Sequence, residues 1–239
     1  MAKRPQGNST AKTKSKTTGK TAKADSAEIL RNTVIETTMA IAARDGWRGL
    51  RLARVADESG LSLAQILIPF PDKYAVMNAF QDRIDAAMLA EADALASGGD
   101  DGGDVRDRLF DLIMARFDAL APYRAAMAEI ARDALRDPGS ARFLPRMARS
   151  MSRILEAAGV GATGLAGAAR AKGLALVYAD AFRTWLGDDT ADQSKTMATL
   201  DRGLARAEKA QRFLARICAT RIPRYADTDE GGKAAETLG

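Results

Sequence analysis

Two short apolar stripes with a turn between them, in the stretch from Gly46 to Val76, limit this chain to few folds. The stretch reads GWRGLRLARVADESGLSLAQILIPFPDKYAV. Leu52, Val55 and Ala56 recur at i, i+3 and i+4, which predicts a helix over 51–58. Gly60 suits the turn Glu58-Ser59-Gly60-Leu61, where a positive φ is expected. Ser62 is placed to cap a second helix running to Ile68, and Pro69 stops it. Phe70-Pro71 packs the exit, and Asp72 caps a long helix from Lys73 to about Ala96. This is helix-turn-helix grammar.

The rest of the chain carries the same helical period. Val34, Ile35, Thr38, Ile41 and Ala42 mark one face of a helix over about 25–44, ended by Asp45-Gly46, with Trp47 plugging the space behind it. Downstream, helices are predicted near 104–120, 122–136, 140–158, 165–187 and 190–220. β-branched runs are nearly absent, so the fold class is all-α. The Gly/Asp segment 97–104 breaks the chain. Five segments are expected: a disordered basic arm (1–24), a helix-turn-helix head (25–71), a linking helix (72–97), a larger helical domain for ligand binding and dimerisation (98–222) and a disordered acidic tail (223–239).

Composition excludes several functions. There is no histidine and one cysteine, Cys218, so no Cys/His zinc site, no disulfide within the chain and no Ser-His-Asp or Cys-His nucleophile can be built. An enzyme is not expected, and no cofactor or metal is called for. No apolar run approaches the ~20 residues that span a bilayer. The cytoplasm is the expected location. The net charge of +5 sits unevenly. Residues 1–24 hold seven bases and no acid, the tail from Pro223 holds two bases and four acids, and the body between is neutral. The arm is either a solubilising tail or a strand of charge for phosphates or an anionic lipid surface.

Gly46-Trp47, Val55-Ala56, Gly60-Leu61-Ser62 and Phe70-Pro71-Asp72-Lys73 followed by Ala75-Val76 stand at the spacing G-[FY] … I-A … G-V-S … F-x-x-K-x-x-L. On these residues the chain resembles the TetR/AcrR family of one-component regulators. The resemblance covers about residues 26–90. It implies a three-helix DNA-binding head, a linking fourth helix, and a larger helical domain for a hydrophobic ligand and for homodimerisation. It places Ser62, Gln65 and Lys73 toward DNA, with Arg48 and Arg51 supplying charge beside the turn. Three positions depart from the family: Leu67 replaces the usual phosphate-contacting aromatic, Pro69 stands where a Tyr or His precedes the Phe, and Leu50-Arg51 replaces a capping Thr or Ser. Between Arg44 and Lys73 five bases face four acids, a weak footprint for a duplex binder.

A second resemblance lies further on. Trp185-Leu186-Gly187-Asp188-Asp189-Thr190-Ala191-Asp192 and Leu200-Asp201-Arg202 look like the closing segment of the ubiquinone-biosynthesis accessory (Coq) family. That resemblance implies the same fold, an isoprenoid lipid as partner, peripheral membrane contact and no DNA.

The remaining candidates have two readings each. Met114, Phe117, Met127, Phe143, Met147, Met151, Tyr178 and Phe182 line an apolar ligand pocket or are simply core. Asp188, Asp189 and Asp192 form a capping turn or a cation site. The two last helices have broad apolar faces, so Leu174, Trp185, Leu200 and Leu204 are expected at a four-helix dimer interface. The basic, amphipathic end of the last helix lies at that interface's rim or on a membrane surface.

Overall fold

The first helix, α1 (Ala11–Asp45), buries the face its period announced: Val34, Ile35, Thr38, Ile41 and Ala42 are all sealed from solvent. The computed structural model describes residues 11–97, 103–136 and 138–221, with side chains over 24–94, 103–136, 139 and 141–213. Residues 11–24 continue α1 rather than forming the unstructured arm expected there. Once a helix is nucleated by its packed portion, each further residue adds a hydrogen bond without a new nucleation cost, so a Lys/Thr/Ala segment can follow. Residues 1–10 and the tail 223–239 lie outside the described residues. Gly46, at φ +84°, turns the chain out of α1, a conformation that suits glycine.

Helices α2 (Leu52–Ser59) and α3 (Leu63–Leu67) form the expected pair. Gly60 ends α2 in the left-handed region at φ 69°. Ser62 caps α3 with a complete capping box: its hydroxyl accepts from the Gln65 N–H, and the Gln65 carboxamide oxygen accepts from the Ser62 N–H. Ile66 and Phe70 are buried beneath. Asp72 caps α4 (Lys73–Ser97) through a 2.8 Å bond from the Ala75 N–H.

Beyond 103 come α5 (Val105–Leu120), a 3-10 turn (Ala121–Tyr123), α6 (Arg124–Ala134), a 3-10 segment (Pro138–Phe143), α7 (Leu144–Ala157), α8 (Gly164–Leu186) and α9 (Ser194–Arg221). No strand occurs among the described residues. The helix expected from 140 begins at Leu144, because Pro145 sits naturally in a first helical turn. The one expected from 190 begins at Ser194. The preceding turn is drawn in by buried Asp188, whose carboxylate accepts from the Thr190 hydroxyl at 2.6 Å and from the Thr196 N–H and hydroxyl at 2.9 and 2.7 Å. Asp189 pairs with Lys195, and Asp192 accepts from the Ser194 N–H. The acid-rich turn is thus a capping device.

Helix α8 is packed by α5, α6, α7 and α9. This corrects the expected interface. Leu174, Trp185, Leu200 and Leu204 are all buried within one protomer, and Trp185 stacks on Phe117 at 5.5 Å. These four side chains of α8 and α9 are packed by neighbours within the chain. Exposed on α8 instead are Leu165 and Leu176. Among the described residues no helix is long and apolar enough to cross a membrane.

Head and body share one contiguous core. The joint is built around the Gly46–Arg48 turn. The Asp133 carboxylate, on α6, accepts the backbone N–H of Trp47 at 2.9 Å and of Arg48 at 2.7 Å. From α4, the Lys73 ammonium donates to the carbonyls of Trp47 (2.8 Å) and Arg48 (3.0 Å). Trp47, Tyr74 and Phe143 pack as three mutually contacting rings at 5.6–6.1 Å between centroids.

Candidate functional site

Two surfaces are candidates: the outer face of the head, and a cavity in the body.

On the head, α3 offers little polarity. Its capping box commits Ser62 and Gln65 to each other, since the Gln65 carboxamide oxygen also accepts from the Ser62 hydroxyl at 2.9 Å. Leu67 is 44% exposed and Ile68 86% exposed, with Leu63 beside them. The exposed face of this helix is therefore apolar. Arg44 and Arg54 are bound into a four-charge lattice with Asp45 and Glu58, at 2.7–3.0 Å. Those bonds from Arg44 hold both carboxyls below their ordinary range. Lys73, expected on a phosphate, is half-buried with its ammonium on two backbone carbonyls and 5.1 Å from the Trp47 ring centroid. The Trp47 carbonyl accepts from the Leu50 N–H as well, at 3.2 Å, and the ammonium adds charge-assisted bonds and the face of the Trp47 ring to this turn. Arg48 and Arg51 are exposed. Of the five residues expected to face DNA, these two arginines present their charge outward, and Ser62, Gln65 and Lys73 serve local structure.

The body contains a cavity of about 190 Å³. Met77 and Gln81 of α4, Met127, Ile130, Ala131 and Ala134 of α6, Phe143, Arg146 and Met147 around the start of α7, and Tyr178 and Phe182 of α8 line it. Five of the eight expected pocket residues meet there: Met127, Phe143, Met147, Tyr178 and Phe182. The other three do not. Phe117 and Met151 are fully buried in solid core, and Met114 packs half-buried against it.

Beside the cavity lies a buried polar cluster that a reading for apolar stripes passes over. Asp85 accepts from Arg116, from Arg146 at 2.8 Å, from Arg153 at 2.8 Å and from the Ser150 hydroxyl at 2.9 Å. Arg116 also donates to the Gln81 carboxamide oxygen and, at 3.2 Å, to the Tyr178 hydroxyl. Burial opposes the Arg116 charge, and Tyr178 and Asp85 overcome that and hold it firmly protonated. The legible signal was phase. Asp85 lies between Ile84 and Met88, and Arg116 beside Phe117, each on the buried face of its helix. A charge in phase with an apolar stripe must find a partner inside.

No protein-family model matches the sequence, and no curated protein matches it. Solved structures do. The TetR transcriptional regulator from Nitrosomonas europaea is 26% identical over 75% of this chain and 98% of its own, with a TM-score of 0.60. A TetR transcriptional regulator from Rhodococcus sp. RHA1 is 14% identical over 77% and 97% of the two chains, at a TM-score of 0.48, too distant to weigh. The end of α1 with α2 and α3 as a head, the linking α4 and the helical body give this chain the fold of the Nitrosomonas TetR transcriptional regulator.

Proposed function

We propose that this chain regulates transcription: it binds duplex DNA through its head as a homodimer and releases it, as a repressor does, when a small apolar molecule enters the cavity. The observation that carries this reading is the joint. Helix α6 supplies the cavity wall through Met127, Ile130, Ala131 and Ala134, and the same helix holds the head through Asp133. A ligand that moves α6 pulls on the Trp47–Arg48 backbone directly. Such a shared element, biased from both ends, is what coupling between two sites requires. Helix α4 adds a second route, since Met77 and Gln81 line the cavity and Lys73 holds the same turn.

Arg48 and Arg51 supply phosphate contacts from the head, and the Lys-rich segment of residues 1–24 adds sequence-independent charge. With α3 presenting Leu63, Leu67 and Ile68, contact with thymine methyls replaces hydrogen-bonded reading of bases. Exposed Leu165 and Leu176 on α8 are the surface for the second copy. The test is enrichment of genomic fragments on the purified full chain, followed by titration at several salt concentrations. A defined duplex, bound with a steep salt dependence and weakened by Arg48→Ala and Arg51→Ala, supports the reading. Recovery of no enriched sequence overturns it.

One observation favours a second reading. An apolar exposed face on α3, with Lys73 turned inward, suits a TetR-fold protein that has given up DNA and binds isoprenoid lipid for ubiquinone synthesis at a membrane surface. Its resemblance lies in residues 177–204. Mass spectrometry of lipid extracted from the natively purified chain separates the two: an isoprenoid quinone precursor supports the second reading, and its absence removes it.

A further inference from the structure

The cavity is apolar along its walls and holds hydrogen-bond donors at one end. Arg146 lines it and is 5% exposed, yet its Nε and Nη1 are buried with no acceptor. Its Nη2 alone is bonded to Asp85. Gln81 also lines the cavity. Its carboxamide oxygen is taken by Arg116, and its NH₂ group meets only the Met77 sulfur, at 3.8 Å. Tyr178 accepts from Arg116 through its hydroxyl oxygen, which leaves the O–H to donate. Leaving a guanidinium N–H buried without an acceptor costs a substantial part of its hydration, and native interiors rarely tolerate it.

Charge points the same way. In the cluster behind this end, three guanidinium groups (Arg116, Arg146, Arg153) share the carboxylates of Asp85 and Asp82. One cation is in excess within that network of described residues. A site that offers donors and surplus positive charge, and no free acceptor, recognises an anion with oxygen acceptors. The rest of the wall is Met, Ile, Ala and Phe.

Resting on the ligand-binding reading of this cavity, we infer that the ligand is an amphipathic carboxylate: a compact apolar body with its anionic head on Arg146, assisted by Gln81 and Tyr178. At about 30 Å³ for each water-sized group, 190 Å³ takes about six such groups. The Met77, Met127 and Met147 side chains can shift to admit a few more. Arg146 thereby sets which head group is accepted, and the methionines set the tolerance for the body.

The test compares octanoate with octanol on the full chain by titration calorimetry at neutral pH. The two share a chain and differ in head group. Octanoate binding at least about tenfold more tightly than octanol, with that preference lost in Arg146→Met while octanol binding is kept, supports the inference. Equal binding of the two overturns the carboxylate head and leaves an apolar-ligand cavity standing. Binding of neither overturns the inference together with the ligand-binding reading. A preference that survives in a folded Arg146→Met removes Arg146 from the site. Should that variant fail to fold, the comparison in the unmodified chain decides, and Tyr178→Phe is expected to lower octanoate affinity severalfold without changing that for octanol.

Discussion

Asp133 accepts the backbone N–H of Trp47 at 2.9 Å across 86 residues of chain, and the same oxygen accepts from Arg48 at 2.7 Å. One carboxylate at the end of α6 thereby fixes the turn that leads into α2. Hydrogen bonds to a charged acceptor contribute about 1.5–3 kcal/mol each when shielded, and these are only part-buried. Asp133→Ala is expected to cost about 2 kcal/mol in total by urea denaturation. It is also expected to weaken the effect of ligand on head function, while affinity for ligand itself changes little. An unchanged denaturation midpoint would show that the turn is held without Asp133.

Asp85 carries the opposite weight. It is 1% exposed and serves Arg116, Arg146 and Arg153 at once. Removing one partner from a buried ion pair costs about 3–5 kcal/mol because the others are left uncompensated. Asp85→Ala is expected to fall in that range by chemical denaturation. A loss below about 1 kcal/mol would mean that water or Asp82 neutralises the arginines instead.

Asp188 makes acid stability titratable. Burial alone would raise its pKa, and hydrogen bonds from Thr190 and Thr196 overcome that and hold it well below the ordinary value of 3.8. The folded chain therefore binds this proton less readily than the unfolded one. Its contribution is complete above pH 3.8 and drains away as pH falls below that value toward the folded pKa. Asp188→Asn is expected to be less stable than the parent at neutral pH, with the gap narrowing at about pH 3. Urea midpoints measured at both pH values check this, and a constant gap would refute it.

Ser62 and Gln65 are expected to behave as a pair. Ser62→Ala removes a cap worth about 1 kcal/mol, and α3, only five residues long, has little else to hold its first turn. Hydrogen exchange of the α3 amides should quicken by about the fivefold factor that such an energy implies. If Gln65 reads a base instead of capping, Gln65→Ala will abolish sequence preference while α3 exchange stays as it was.

Much of the fold was readable because burial on helices repeats. Val34, Ile35, Thr38, Ile41 and Ala42 announce one face, and the Gly60 turn with its Ser62 cap needs only local chemistry. The cavity was readable in part: Met127, Phe143, Met147, Tyr178 and Phe182 stood out as large apolar side chains. Its polar end was not, because Arg146 and Gln81 look like surface residues until Asp85 and Arg116 are brought beside them by packing of α4, α5 and α7. The interface expectation for Leu174, Trp185, Leu200 and Leu204 went astray for the same reason. A helix apolar on several sides needs several neighbours, and sequence period does not say whether they come from the same chain. Lys73 was read from its position at a helix start, and no local rule shows that its ammonium would turn onto Trp47 and Arg48.

The three rings of Trp47, Tyr74 and Phe143 have a bearing on modularity. One comes from the turn before α2, one from α4 and one from the segment leading into α7. A head transplanted onto a different body would keep Trp47 and Tyr74 and leave a void where Phe143 stood. Chimeras of this chain therefore need Phe143 carried across with the head, as part of the same unit of inheritance.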